Sequence, residues 1–179
     1  MGKWINEHLI PKILAFVNTK AVQSIKDGMV YTMPLLIVGS IFLILANLPV
    51  KQAADALAAA GITTILSQAC GATFNISAII AVIGISYTYV KLEKQEPLSG
   101  SMIALAVFLL LQPSSVQTES GDLVSNIINK DWTAGKGMIG AIIIGLLVGY
   151  LYSWFLKKNI KIKMPNGVPA GVANAFSAL

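Results

Sequence analysis

The chain has 179 residues, of which 55% are hydrophobic and only 12% charged, about half the charged share of a soluble domain. With a mean hydropathy of +0.72 and a net charge of +5, a solvated globular domain is excluded. Charge-free runs at Gly28–Val50, Ala56–Val90, Pro97–Thr118, Gly137–Leu156 and Met164–Leu179 match the length needed for membrane crossing, which is about 20 apolar residues at about 1.5 Å rise each.

The first 27 residues carry Lys3, Lys12, Lys20 and Lys26 ahead of the first apolar run. Ile5, Leu9, Ile13 and Val17 recur every fourth residue beside Trp4 and Phe16, the pattern of a helix lying in the membrane interface. Pro11 marks either a helix start or an interruption. Residues 1–27 are therefore read as an amphipathic interfacial segment, and residues 28–179 as the membrane domain. No small-x-small site follows the apolar stretch, which argues against a secretory signal.

A first span is expected at 29–48, with Pro34 in its opening turns, where a missing amide donor costs least. Residues 56–77 are dotted with Gly, Thr, Ser, Gln and Asn, so a re-entrant or surface segment is expected before a second span at 72–90. Spans three and four are expected at 98–112, closed by Pro113, and at 137–156, with a polar loop over 117–136. The run 168–179 reads as the truncated start of a fifth span. The expected fold is all-α and integral to the membrane.

All 13 basic residues are lysine. Arginine, the usual base reader, is absent and no lysine interrupts an apolar run, so nucleic-acid binding is not expected. The lysines instead set orientation. With a cytoplasmic amino terminus, ten fall inside and only Lys51, Lys130 and Lys136 fall outside, as the positive-inside rule requires. The single Cys70 and single His8 exclude a disulfide framework and a multi-histidine metal site, and no cofactor is expected.

The last complete span places Gly137, Ala141, Gly145, Gly149 and Ser153 four residues apart. On a helix this makes a smooth stripe for close packing, against either a second copy or a neighbour in the same chain. Ser67, Gln68, Thr73, Asn75, Ser77, Ser86 and Thr88 could line a sugar path, although bonding to neighbouring helices is the expected use. No acidic or histidine side chain lies within a span, so neither a proton relay nor an acid/base pair is legible. Cys70, in SQACGATF, reads as a small buried residue rather than a phosphate-carrying thiol. His8 reads as a surface residue.

The closing stretch KMPNGVPAGVANAFSAL is similar to a pattern of the membrane-embedded IIC component of the phosphoenolpyruvate-dependent sugar phosphotransferase system, in its lactose, cellobiose and diacetylchitobiose branch. The matching positions are Lys163, Met164, Pro165, Val168, Pro169, Val172, Ala175, Phe176, Ser177, Ala178 and Leu179. IKDGMVYTMPLLIVGSIFLIL and GMIGAIIIGLLVG agree as well, whereas the arginines that relatives mix with lysine are missing. The resemblance implies the amino-terminal half of a ten-span, homodimeric permease of a bacterial plasma membrane. Its essential glutamate, histidine and sugar site would lie in the other half. It further implies cytoplasmic IIB and IIA partners, with sugar phosphorylation done by IIB rather than by this chain. The competing reading is a self-contained four-span scaffold or assembly subunit without transport activity.

Overall fold

The computed structural model of the chain describes residues 8–118, 120–158 and 160. Helix α1 (Ile10–Val17) opens with Pro11 in its first turn and buries nothing. Helix α2 (Lys20–Val30) starts where the Thr19 side chain accepts a hydrogen bond from the Val22 amide at 3.5 Å, as N-capping residues do. Helix α3 (Met33–Ala46) follows after a bend of 43°. Pro34 has no amide to donate to the Val30 carbonyl, so the helix breaks there. The Thr32 hydroxyl donates to Met29 O at 2.7 Å and bridges the break.

Helices α4 (Lys51–Ala59) and α5 (Ile62–Gly71) meet at Gly61, whose φ of +72° is accessible to glycine without a Cβ clash. A 3₁₀ turn (Phe74–Ile76) leads into α6 (Ser77–Leu92). Helix α7 (Pro97–Leu110) is capped by Glu96, whose carboxylate accepts the Leu98 and Ser99 amides at 2.8 and 3.0 Å. An antiparallel hairpin, β1 (Ser115–Gln117) with β2 (Leu123–Ser125), pairs Val116 with Val124. A short α8 (Lys130–Thr133) and a 3₁₀ turn (Gly135–Gly137) precede α9 (Met138–Lys157).

Helix α6 is the axis of the molecule, and α2, α7 and α9 pack on it. The core joins Ala78, Ala81, Val82 and Ile85 of α6 to Ala104 and Phe108 of α7 and Ala141 and Val148 of α9. A second cluster holds Val90, Tyr152 and Leu156. Helix α3 lies to one side, against α5 and the 3₁₀ turn. Large apolar side chains such as Phe16, Ile37, Ile44 and Ile139 are more than 60% exposed, a surface suited to lipid rather than water.

Two stretches are long and apolar enough to cross a membrane, Ile62–Leu92 and Gly135–Lys157, and the bent pair α2–α3 makes a third if it is one span. Expected spans 72–90 and 137–156 fall within the first two. The segment expected as re-entrant or surface before residue 72 is helical and continuous in hydropathy with α6. At 14 residues, α7 reaches about 21 Å, short of a bilayer core of about 30 Å. The boundary drawn between residues 27 and 28 falls inside α2. Ser24 and Gly28 are buried against α6, so only α1, among the described residues of the first 27, is exposed along its length. The expected start of a fifth span, 168–179, lies outside the described residues, as do Trp4 and the matched positions from Lys163 on.

Candidate functional site

The described helices are locked around α6 by glycines. A Cβ on Gly28 would come within 2.6 Å of the Ile85 backbone, and one on Gly84 would strike the Gly28 carbonyl oxygen. Backbone therefore meets backbone at the α2–α6 crossing, an approach open only to small residues. On the other side of α6, the stripe Gly137, Ala141, Gly145, Gly149 and Ser153 is turned inward. A Cβ on Gly145 would lie 3.1 Å from Ile85, and one on Gly149 would lie 2.9 Å from Tyr89. Ala141 and Ser153 are fully or almost fully buried, and Gly137 abuts the Trp132 carbonyl. Among the described residues the stripe packs within the chain.

The polar residues singled out in the sequence do not converge on a cavity. Ser86 donates to Gly100 O at 3.1 Å, tying α6 to α7, while Thr88 donates to Gly84 O at 2.8 Å and Thr73 to Ala69 O at 2.7 Å. The Asn75 carbonyl accepts from Thr133 at 2.8 Å, fixing α8 against the start of α6. Ser77 is buried, whereas Ser67 and Gln68 are exposed on α5. These hydroxyls satisfy helix carbonyls, as expected of polar groups in a membrane bundle. Cys70 is a free, buried thiol at the end of α5, and His8 is exposed ahead of α1. Among the described residues, no group of His, Cys, Asp and Glu could hold a metal ion. An open apolar recess of about 310 Å³ lies between the α2–α3 bend and α6, lined by Tyr31, Ile80, Ile83, Gly84 and Tyr87. Tyr31 and Tyr87 meet there edge to face, with centroids 6.3 Å apart.

One charged constellation was not anticipated from the sequence. Glu93, just past α6, accepts ion pairs from Lys20 of α2 at 2.9 Å and from Lys157 of α9. Its side chain is 10% exposed, whereas the lysines are about half exposed. The Lys157 ammonium, and then Lys20, hold the Glu93 carboxyl below the ordinary carboxylate value against the opposing effect of burial. The link gathers three helix ends at one pole, where Lys91, Lys94 and Lys158 also lie. The sequence assigned all five of these lysines to the same side. Lys130 and Lys136 lie at the opposite pole, beside the start of α6. The sequence signal was one of two acids in KLEKQEP, Glu93 ahead of the α7 cap Glu96, and nothing in that string names its partners.

The family model "Phosphotransferase system, EIIC" matches residues 26–179. The oligo-beta-mannoside-specific EIIC component of Bacillus subtilis (strain 168) is 36% identical over all of this chain and 41% of its own length. The cellobiose-specific EIIC component of Geobacillus stearothermophilus is 34% identical over 99% of this chain and 41% of its own. The crystal structure of the transporter ChbC, the IIC component of an N,N'-diacetylchitobiose-specific phosphotransferase system, superposes with a TM-score of 0.87 at 32% identity. It covers 98% of this chain and 42% of that one. The chain thus spans about two-fifths of the length of the relatives it matches, and it belongs to the EIIC family of the phosphotransferase system.

Proposed function

We propose that the chain is the amino-terminal scaffold part of a sugar-translocating IIC subunit. The whole subunit would act on a β-linked disaccharide in a phosphoenolpyruvate-dependent phosphotransferase system. The observation that carries this reading is the agreement between the match over residues 26–179 and relatives named for oligo-β-mannoside, cellobiose and diacetylchitobiose. Transporters of this type alternate access by moving one packed body against another. The glycine-packed bundle around α6 suits the fixed body, because α2 meets α6 backbone to backbone and the α9 glycines close on Ile85 and Tyr89, which leaves little room for sliding.

In this reading the lysine-rich pole and the amino terminus face the cytoplasm, where IIB and IIA components would meet the subunit. The sugar is held by the rest of the subunit, since Thr73, Ser86 and Thr88 of the described bundle are engaged with its own carbonyls. Homodimerisation uses a face other than the α9 stripe. The reading of a self-contained scaffold without transport activity has no observation in its favour.

Uptake by the full-length gene product tests the reading. Cells carrying it with IIA and IIB should accumulate phosphorylated cellobiose, chitobiose or a β-mannoside, and should stop doing so when IIB is deleted. Failure to take up any β-linked disaccharide with all components present would contradict it. A lysine-pole cysteine at position 158, on a Cys70→Ser background, should resist an impermeant maleimide in intact cells. Rapid labelling would overturn the orientation.

A further inference from the structure

The lysine-rich pole has more positive charge than its own acids consume. Five exposed lysines, Lys20, Lys91, Lys94, Lys157 and Lys158, share this pole with two carboxylates, Glu93 and Glu96. Both carboxylates are committed inside the fold. Glu93 holds Lys20 and Lys157, and Glu96 caps α7 through the Leu98 and Ser99 amides. Lys91, Lys94 and Lys158 have no ion pair among the described residues. One helical turn before Lys158, Trp154 and Phe155 are 41% and 43% exposed and stack edge to face at 5.2 Å. The Lys158 amide donates to the Trp154 carbonyl at 3.0 Å, which places the two residues one helical turn apart on the same side of the α9 end. The exposed α1, with Phe16 at 66% and Leu14 at 53%, ends three residues before Lys20. Aromatic rings just inside a ring of unpaired lysines are the arrangement that sits at the headgroup level of a bilayer.

We propose that Lys91, Lys94 and Lys158 form a binding surface for the phosphodiester headgroups of anionic phospholipid, with Trp154 against the acyl boundary beneath them. The Glu93 bridge positions this surface. By pinning Lys20 and Lys157, it holds the ends of α2 and α9 at fixed distances from Lys91 and Lys94, so that the headgroup meets a preformed cluster. The occupant is a lipid rather than a free anion, because the exposed aromatics and α1 supply an apolar floor that inorganic phosphate cannot use. A lysine near an anionic surface contributes about fivefold to binding. The proposal rests on the membrane reading of the chain but not on its direction of insertion.

The test uses the full-length protein with Trp154 as its single tryptophan, in symmetric vesicles containing brominated phosphatidylglycerol or brominated phosphatidylcholine. Quenching of Trp154 gives the relative binding constant of the two lipids at that site. The expected preference for phosphatidylglycerol is at least about fivefold, falling to near parity in K91Q/K94Q/K158Q and persisting in K130Q/K136Q, which alters the opposite pole. Equal quenching by the two lipids in the starting protein would overturn the proposal, as would a preference unchanged in the triple variant. Loss of the preference on adding inorganic phosphate, at an ionic strength where sodium chloride leaves it intact, would assign the site to a free anion and overturn it too. A triple variant that keeps the lipid preference but loses sugar uptake would give the lysines to a cytoplasmic protein partner instead. Because the readout is lipid binding, a failure of transport leaves it standing or falling on its own.

Discussion

Helices α3 and α6 are both predominantly apolar, 14 and 16 residues long, yet they occupy opposite positions in the molecule. Helix α6 buries nine residues, whereas α3 buries only Gly39. Inside lipid, apolarity does not separate buried from exposed helices, because acyl chains solvate Leu and Ile as well as another helix does. The difference lies in side-chain size. Gly84 on α6 lets Gly28 press backbone to backbone, and Gly145 and Gly149 on α9 make room for Ile85, Val82 and Tyr89 of α6. Leu35, Leu36, Ile37, Val38 and Ile41 keep neighbours of α3 at a distance, except at Gly39, where a Cβ would come within 2.8 Å of Phe74 and Thr73.

Mutations at matched positions can break or sharpen this contrast. The largest effect is predicted for Gly84→Leu. The atoms its side chain would meet include the Gly28 carbonyl, which is backbone and cannot rotate away. We expect a loss of about 3 kcal/mol or more, read as a lower unfolding midpoint in detergent, with aggregation at growth temperature. Full stability in this variant would show that the α2–α6 crossing is not closed. Next, Ile85→Ala should cost about 3 kcal/mol through the cavity left among α2, α6 and α9. Ile44→Ala on α3, 62% exposed, should stay within about 0.5 kcal/mol. Equal costs at the two sites would erase the distinction between core and sheath.

Glu93→Gln should be milder, about 1 kcal/mol, because its lysine partners are half exposed and screened. The Glu93 carboxyl is held below its ordinary value by Lys157 and Lys20. Its stabilisation is therefore present above the unfolded-state value of about 4.3 and is lost as pH falls through the lower folded value. Between neutral and strongly acid pH, the variant should lose less stability than the parent. Identical pH profiles would dissociate Glu93 from the stability of the bundle.

Much of this organisation was legible in the sequence, though unevenly. The fourfold spacing from Gly137 to Ser153 identified a close-packing face, but a smooth stripe carries no information about what lies on it. The partner proved to be Ile85, Val82 and Tyr89 in the same chain. The Gly28–Gly84 crossing went unseen, because each glycine is isolated in its own run and nothing local connects them. Residues 1–27 read as an interfacial segment and the first span as starting at 29, although Ser24 and Gly28, four apart, mark a buried face on one helix, α2. The Gly, Thr, Ser, Gln and Asn of residues 56–77 suggested a re-entrant or surface segment before residue 72. With no proline there, the chain stays helical and points Ser67 and Gln68 outward. The family resemblance was carried most strongly by the stretch from Lys163 to Leu179, beyond the described residues, which is why recognition outran what the bundle alone displays.

The central claim is that α2, α6, α7 and α9 form one fixed body of the transport subunit. A disulfide between cysteines at positions 85 and 145 tests it most directly, in the full-length protein on a Cys70→Ser background. A Cβ on Gly145 lies 3.1 Å from that of Ile85, close enough to bridge with a slight opening of the seam, since disulfide Cβ atoms sit about 3.8 Å apart. Sugar uptake should be the same with the bridge oxidised or reduced. Uptake that collapses on oxidation and returns with reductant would show that α6 and α9 must move apart during transport.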